Sequence, residues 1–433
     1  MLHTSRYNVL VGNDDETLLF NTASGAFATL DDAAAAAYGS GTWDDALAAQ
    51  LEDAGFLTEL TPEEELAALH ARFETARHDH TQLTLALMPT YDCNYACPYC
   101  YEQDKTAITG KMGDRVIDGV LDFIEARHAE HAFSQLSIQW YGGDPSLALD
   151  VVAELSDNMI SWCDDNGVGY DALILTNCNV IDEAAVKMLA ENRVHMALLT
   201  IDGFEETHNK RRVAADGSNS YQAVIGAAKL FVAHGITVSA VMNVDRVNWP
   251  EYHDLRKMLA GMGVALSFGR LADCGHFYGT GAFTKPEFDL FTMAEYAKLE
   301  HDEFVKAGFD ASTLRQLLAS PANFCTGQTD DYYIIDSIGD VYKCDGFVGD
   351  PAYRKFSIFD TPTDEQLRLM SHDPFASAQC AACELLPLCY GNCNWERTSE
   401  KMQCHPLKIT LPDYLRDYRS CFDVPARGFT RLA

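Results

Sequence analysis

Apolar positions follow two periods in turn from about residue 82 onward. The runs "LTLALMP", "LSIQWYG", "ALILTN", "HMALLTID", "ITVSAVMNV" and "VALSFGR" are short and largely apolar, and they predict six strands. Between them, "GDRVIDGVLDFIEARH", "DEAAVKMLAENR" and "SYQAVIGAAKLFVAHG" carry the spacing of amphipathic helices. Repeated strand–helix units specify a parallel sheet, open or closed into a barrel, with the active site at the carboxyl ends of its strands.

The pattern differs on both flanks. Ahead of it, "RYNVLVG" and "TLLFNT" alternate like strands around the turn "NDDE". Three helical stretches follow, "DDAAAAAYG", "TWDDALAAQLEDAGF" and "TPEEELAALHARFETARH", with Thr42 and Thr61 as expected N-caps. Strands followed by helices suggest a small winged-helix-like module, and the third helix is expected to act as a linker. Beyond about residue 320 regular pattern fades into short pieces punctuated by cysteine, glycine and proline. Such a region builds little core alone and is expected to be held by metal centres.

Length changes this picture only in scale, since 433 residues exceed one compact core. Net charge is −32, from 64 acidic and 32 basic residues, which argues against a nucleic-acid partner because cations must neutralise phosphates. No apolar run reaches the roughly eighteen residues of a membrane span. The opening segment lacks a basic stretch followed by an apolar one, so no secretory signal is expected and the chain is expected in the cytoplasm.

Fourteen cysteines are therefore expected as thiols and not disulfides. Three lie in "YDCNYACPYCYE", as Cys93, Cys97 and Cys100, just after the first predicted strand of the repeat. Eight of the other eleven lie between 325 and 421, while Cys163 and Cys178 are expected as core filling. Three thiolates on one tight loop suit an iron–sulfur cluster and leave one iron open, as catalysis requires. A zinc knuckle would need a fourth ligand nearby, and residues 101–126 contain neither His nor Cys.

The C-x3-C-x2-C loop after a first strand resembles the radical S-adenosylmethionine (radical SAM) superfamily. That resemblance implies a partial (β/α)6 barrel in which the open iron binds SAM and a 5′-deoxyadenosyl radical abstracts hydrogen. Tyr95, Tyr99 and Tyr101 would shield the cluster. "WYGGDPSL" resembles the family's glycine-rich strand end, so Gly142, Gly143 and Asp144 are expected at SAM, with Asp where Glu is common. "LTNCNV" brings Asn177, with Cys178 where Gly is usual, and "LTIDGFEETHNKRR" brings Asp202, Gly203, His208 and Arg212. In "VMNVDRVN", Val241 stands where the family often has an arginine contacting SAM.

Cys325, Gly339 and Cys344, followed by C-x2-C-x5-C-x3-C at Cys380, Cys383, Cys389 and Cys393, resemble the SPASM extension with two auxiliary [4Fe–4S] clusters. The resemblance assigns Cys325, Cys344 and Cys393 to one, with Cys274 or an open site fourth. It assigns Cys380, Cys383, Cys389 and Cys404 to the other, with Cys421 as the alternative to Cys404. Asp345 falls where anaerobic sulfatase-maturating enzymes have a base toward substrate.

The opening module resembles those that bind the leader of ribosomally made peptides by strand addition. The implied organisation is a recognition domain and linker at 1–80, a radical SAM barrel at 81–310 and a SPASM domain at 311–433. The implied function is peptide maturation, foremost an intramolecular thioether or other cross-link. Its implied cofactors are three clusters and SAM, and its implied partners a precursor peptide and a flavodoxin- or ferredoxin-type reductant. Formylglycine formation on sulfatases and peptide epimerisation are the alternatives within the class; a non-enzymatic electron carrier and a zinc-stabilised adaptor lie outside it.

Overall fold

Alternating sequence at the start of the chain folds into β1 (His3–Thr4), β2 (Asn8–Asn13), β3 (Glu16–Asn21) and β4 (Phe27–Leu30), with β5 (Leu57–Thr58) pairing back on β1. A computed structural model describes residues 2–100, 102, 108–271, 286–320, 325–367, 372–393, 404–424 and 428–433. The helices Asp32–Ser40, Asp45–Asp53 and Pro62–Arg77 follow the strands as expected. Thr61 caps the third through a reciprocal capping box with Glu64. Asp44, not Thr42, caps the second, because its carboxylate is the acceptor that reaches the amide of Leu47.

The repeat supplies six parallel strands: β6 (Gln82–Leu87), β7 (Gln135–Trp140), β8 (Gly169–Thr176), β9 (Val194–Thr200), β10 (Thr237–Val244) and β11 (Val264–Arg270). Every predicted apolar run became one of them. They are ordered sequentially across the sheet, and β6 pairs in parallel on its other side with β12 (Tyr332–Ile335). Two antiparallel strands, β13 (Asp340–Tyr342) and β14 (Phe356–Ser357), extend that edge. The barrel is thus continued by the cysteine-rich region and not closed on itself.

The flanks are not independent bodies. β15 (Phe429–Arg431) pairs antiparallel with β4, completing a four-stranded sheet ordered β15–β4–β3–β2. One core joins Leu18, Phe20 and Phe27 to Leu388, Leu411, Leu415 and Tyr418, with Phe27 stacked on Tyr418 at 4.8 Å. Each such buried side chain contributes about 1.5–3 kcal/mol. The helix Pro62–Arg77, expected as a linker, buries Leu69 and Phe73 against Leu386 and Tyr390. The cysteine-rich region, which makes little core of its own, borrows one from the opening module.

Candidate functional site

The carboxyl ends of β6 to β10 converge on the cysteine loop. After β6 the chain turns through Thr90, and residues 94–96 pair with 213–215: Ala96 N donates to Val213 O at 2.7 Å and Ala215 N to Asn94 O at 2.8 Å. Cys97 is buried and Cys100 half-buried, with Cys93 exposed at the mouth. Burial pushes the Cys100 thiol up to about 12 and raises Cys97, whose proton affinity Arg212 opposes. Thiols so placed stay protonated at neutral pH unless a metal displaces the proton, so the donor set fits an iron–sulfur centre.

Gly142 and Gly143 lie against this loop by necessity. A Cβ on Gly142 would stand 2.5 Å from Thr90 O, at φ +125°, and one on Gly143 only 2.2 Å from Tyr91 O. The next residue, Asp144, is buried, and its carboxylate accepts from Ser146 N (2.8 Å), Thr176 Oγ1 (3.0 Å) and Asn177 N (2.6 Å). Its visible work is to tie the ends of β7 and β8 together. Asn177, held by that bond, donates its side-chain amide to Asn94 Oδ1 at 2.7 Å, with Cys93 Sγ at 3.6 Å. Cys178 adopts the left-handed conformation, φ +70°, which accounts for glycine being usual in its place.

Asp202 is fully buried below the loop. It accepts from the Tyr99 hydroxyl and from Asn243 N at 3.0 Å, while its own amide donates to His208 Nδ1 at 3.2 Å. Arg212 donates to the Tyr99 hydroxyl at 3.0 Å and stands 5.9 Å over the Tyr95 ring. With Val241 where the family often has arginine, Arg212 is a cation that hydrogen-bonds the cysteine loop, and Arg211 stands 5.9 Å over the Tyr99 ring beside it. The pairing of Arg212 with Tyr99 spans 113 residues and leaves no local signal in the sequence.

The other cysteines form two groups. Cys344 is raised by burial, by Asp345, and by Cys393 and Cys325, so these three thiols share one neighbourhood. Cys380, Cys383, Cys389 and Cys404 line one cavity with Leu386 and Leu388. Burial pushes Cys389 up to about 11, with Cys383, Cys380 and Cys404 adding to it. Cys421 does not line this cavity. It lies past the far end of the 14-residue helix Leu407–Ser420, which is roughly 21 Å long by helical rise and starts just after Cys404, and its thiol donates to Asp417 O at 3.6 Å. Cys274 and Tyr101 lie outside the described residues. Tyr141, at the end of β7, is held well above its ordinary value by burial first, then by Asp345, Cys100 and Cys344, so it stands within charge range of both Asp345 and the cysteine loop.

A radical SAM superfamily model matches residues 87–259. The chain carries a radical SAM domain. That domain takes one [4Fe–4S] cluster and SAM as its cofactors. A cysteine-type anaerobic sulfatase-maturating enzyme of Clostridium perfringens is 24% identical over 374 residues, 81% of this chain and 97% of that protein. Among solved structures, anSMEcpe with bound AdoMet and Cp18Cys peptide is 20% identical at TM-score 0.58, covering 78% of this chain and 99% of that one. Streptococcus suis SuiB bound to precursor peptide SuiA is 15% identical at TM-score 0.51, covering 93% and 97%. This radical SAM enzyme thus has peptide-modifying relatives. No helix among the described residues is long and apolar enough to cross a membrane.

Proposed function

We propose that this radical SAM enzyme matures a ribosomally made precursor peptide, most directly by forming an intramolecular thioether or another cross-link. Cys93, Cys97 and Cys100 would hold the SAM cluster. Cys325, Cys344 and Cys393 would hold one auxiliary cluster, and Cys380, Cys383, Cys389 and Cys404 the other. When bound, the cluster and SAM supply one-electron cleavage that removes a hydrogen atom from the substrate. Gly142 and Gly143 keep backbone close to the SAM site, and Asn177 and the Tyr99–Asp202–Arg212 network shape it. Asp345, beside Cys344 and within charge range of Tyr141, would take the substrate proton released as the new bond forms.

The observation that carries this reading is the opening module. The match to SuiB leaves about 30 residues unmatched, 7% of 433, and the module alone reaches residue 58, so the likeness takes in much of it. A precursor leader would add as a strand to a sheet edge; the outer strands of that sheet among the described residues are β15, of three residues, and β2, of six, so β2 is the longer edge. A flavodoxin- or ferredoxin-type protein would supply the electron, and the chain would work in the cytoplasm. The second reading, formylglycine formation on a sulfatase, is favoured by Asp345 and by the sulfatase-maturating relatives.

Mass spectrometry of a precursor co-expressed anaerobically with the enzyme separates these outcomes. Loss of two hydrogens with one fewer alkylatable cysteine is expected for a thioether. The same loss with thiols intact means a carbon or ether cross-link, and deuterium uptake from heavy water without mass loss in light water means epimerisation. An unmodified precursor together with a converted sulfatase peptide would replace the proposal by the second reading. Asp345→Asn is expected to lower peptide product by about 100-fold while SAM cleavage continues; full product yield would remove Asp345 as the base.

A further inference from the structure

At the opposite end of the sheet from the cysteine loop, two segments far apart in sequence bring imidazoles and carboxylates together. His78 and His80 lie between the helix Pro62–Arg77 and β6, and Asp330 and Asp331 directly precede β12, the parallel neighbour of β6. Backbone bonds hold the two segments in register, Asp330 N to Arg77 O at 3.1 Å and Thr84 N to Asp331 O at 2.8 Å. We propose that His78, His80 and Asp330 bind one divalent transition-metal ion of the zinc class.

Ligand atoms of these three residues lie within 4.8 Å of one another. Both carboxylates are buried, at 3% and 5% side-chain exposure, whereas the histidines, at 39% and 27%, leave an entry path from solvent. Each carboxylate is gripped through one oxygen only by arginine. Arg77 Nε donates to Asp330 Oδ1 at 2.9 Å, and Arg127 donates to Asp331 Oδ1 at 3.2 Å. The second oxygens face the imidazoles: Asp330 Oδ2 is 2.6 Å from His78 Nδ1, and Asp331 Oδ2 is 2.5 Å from His80 Nδ1.

The two pairs have different parts. Asp331 accepts from His80 Nδ1 and leaves Nε2 to ligate, which is the carboxylate–histidine–metal arrangement. Asp330 is itself a ligand, and its bond to His78 is the contact that an ion would replace. His131 lies flat on His80, with ring centroids 3.6 Å apart and planes 5° apart, and such stacking disfavours a second imidazolium. Lys343, the other buried cation nearby, is turned to the carbonyls of Thr329, Asp330 and Tyr332 and does not compete for the carboxylates. Two histidines, one carboxylate and water make a common zinc set. The ion would fasten the helix leading out of the opening module to the first strand of the cysteine-rich region.

The test uses the full-length, cluster-loaded enzyme, kept anaerobic and treated with a mild chelator. Calorimetric titration with Zn2+ is expected to show one equivalent bound, with a rise of several degrees in melting temperature. Asp331→Asn should weaken binding about 10–100-fold at unchanged stoichiometry. The His78→Ala/His80→Ala double variant should lose the equivalent and the melting shift while its iron content stays the same. No heat and no shift with the wild-type enzyme would overturn the site. An equivalent retained by the double variant would overturn it as well, because thiols would then be the ligands.

Discussion

Replacing Cys93, Cys97 and Cys100 together by alanine is expected to abolish SAM cleavage and to leave the anaerobic protein brown. The three thiols sit on one loop, within reach of one another's charge and of Arg212. Of the other two cysteine groups, Cys380, Cys383, Cys389 and Cys404 lie past β12 on segments packed against the opening module, while Cys325 precedes β12 and Cys344 follows β13, strands that pack beside the ends of β6 and β7. On the proposed assignment, removing the loop thiols would take away the SAM centre and none of the auxiliary ligands. Absorbance and iron content would be read beside 5′-deoxyadenosine formation. A colourless variant would end the assignment of three clusters, and a variant that still cleaves SAM would end the assignment of the loop.

Gly143→Ala is expected to cut SAM cleavage by at least about tenfold, equivalent to about 1.4 kcal/mol, and to lower the melting temperature by several degrees. The added Cβ meets Tyr91 O at 2.2 Å and Asp92 O at 2.4 Å, both backbone atoms that no rotamer change can move aside. The loop must shift, and with it the bonds Gly143 N to Thr90 O and Asp144 N to Asp92 O that hold the end of β7 to the cysteine loop. Gly226→Ala is the matched control. It lies within the helix Ser220–Ala233 with nothing inside 4 Å of its Cβ, and alanine there should be neutral or stabilise by about 0.5–1 kcal/mol. Equal behaviour of the two variants would show that the close approach at Gly143 is not what positions the loop.

The shared core alters how the opening module can be probed. Deleting residues 1–75 would take Phe20, Phe27 and Phe73 out of cores that the cysteine-rich region depends on, so lost peptide binding after such a deletion would not isolate a leader site. Substitution of the exposed Leu10 of β2 leaves those cores in place and is the cleaner route, whereas Val11 belongs to one of them.

Six strands, three of the helices between them and the position of the cysteine loop were legible because each is written in local periodicity; the helices Leu149–Asn166 and Tyr252–Ala260 were not read. A run such as "ALILTN" can bury both faces only inside a sheet, and the thiols follow the first strand directly. N-caps were half legible: Thr61 has Glu64 three residues on, whereas Thr42 and Asp44 both precede a helix and only the backbone path selects Asp44. The network from Tyr99 to Asp202 and Arg212, the pairing of β15 with β4 and the convergence of His78 and His80 on Asp330 and Asp331 join residues a hundred or more positions apart. Periodicity carries no information at that range. Strand identity follows from which faces a segment must bury, but the partners that meet across the fold are decided by chain path and packing, and those exist only once the tertiary structure has formed.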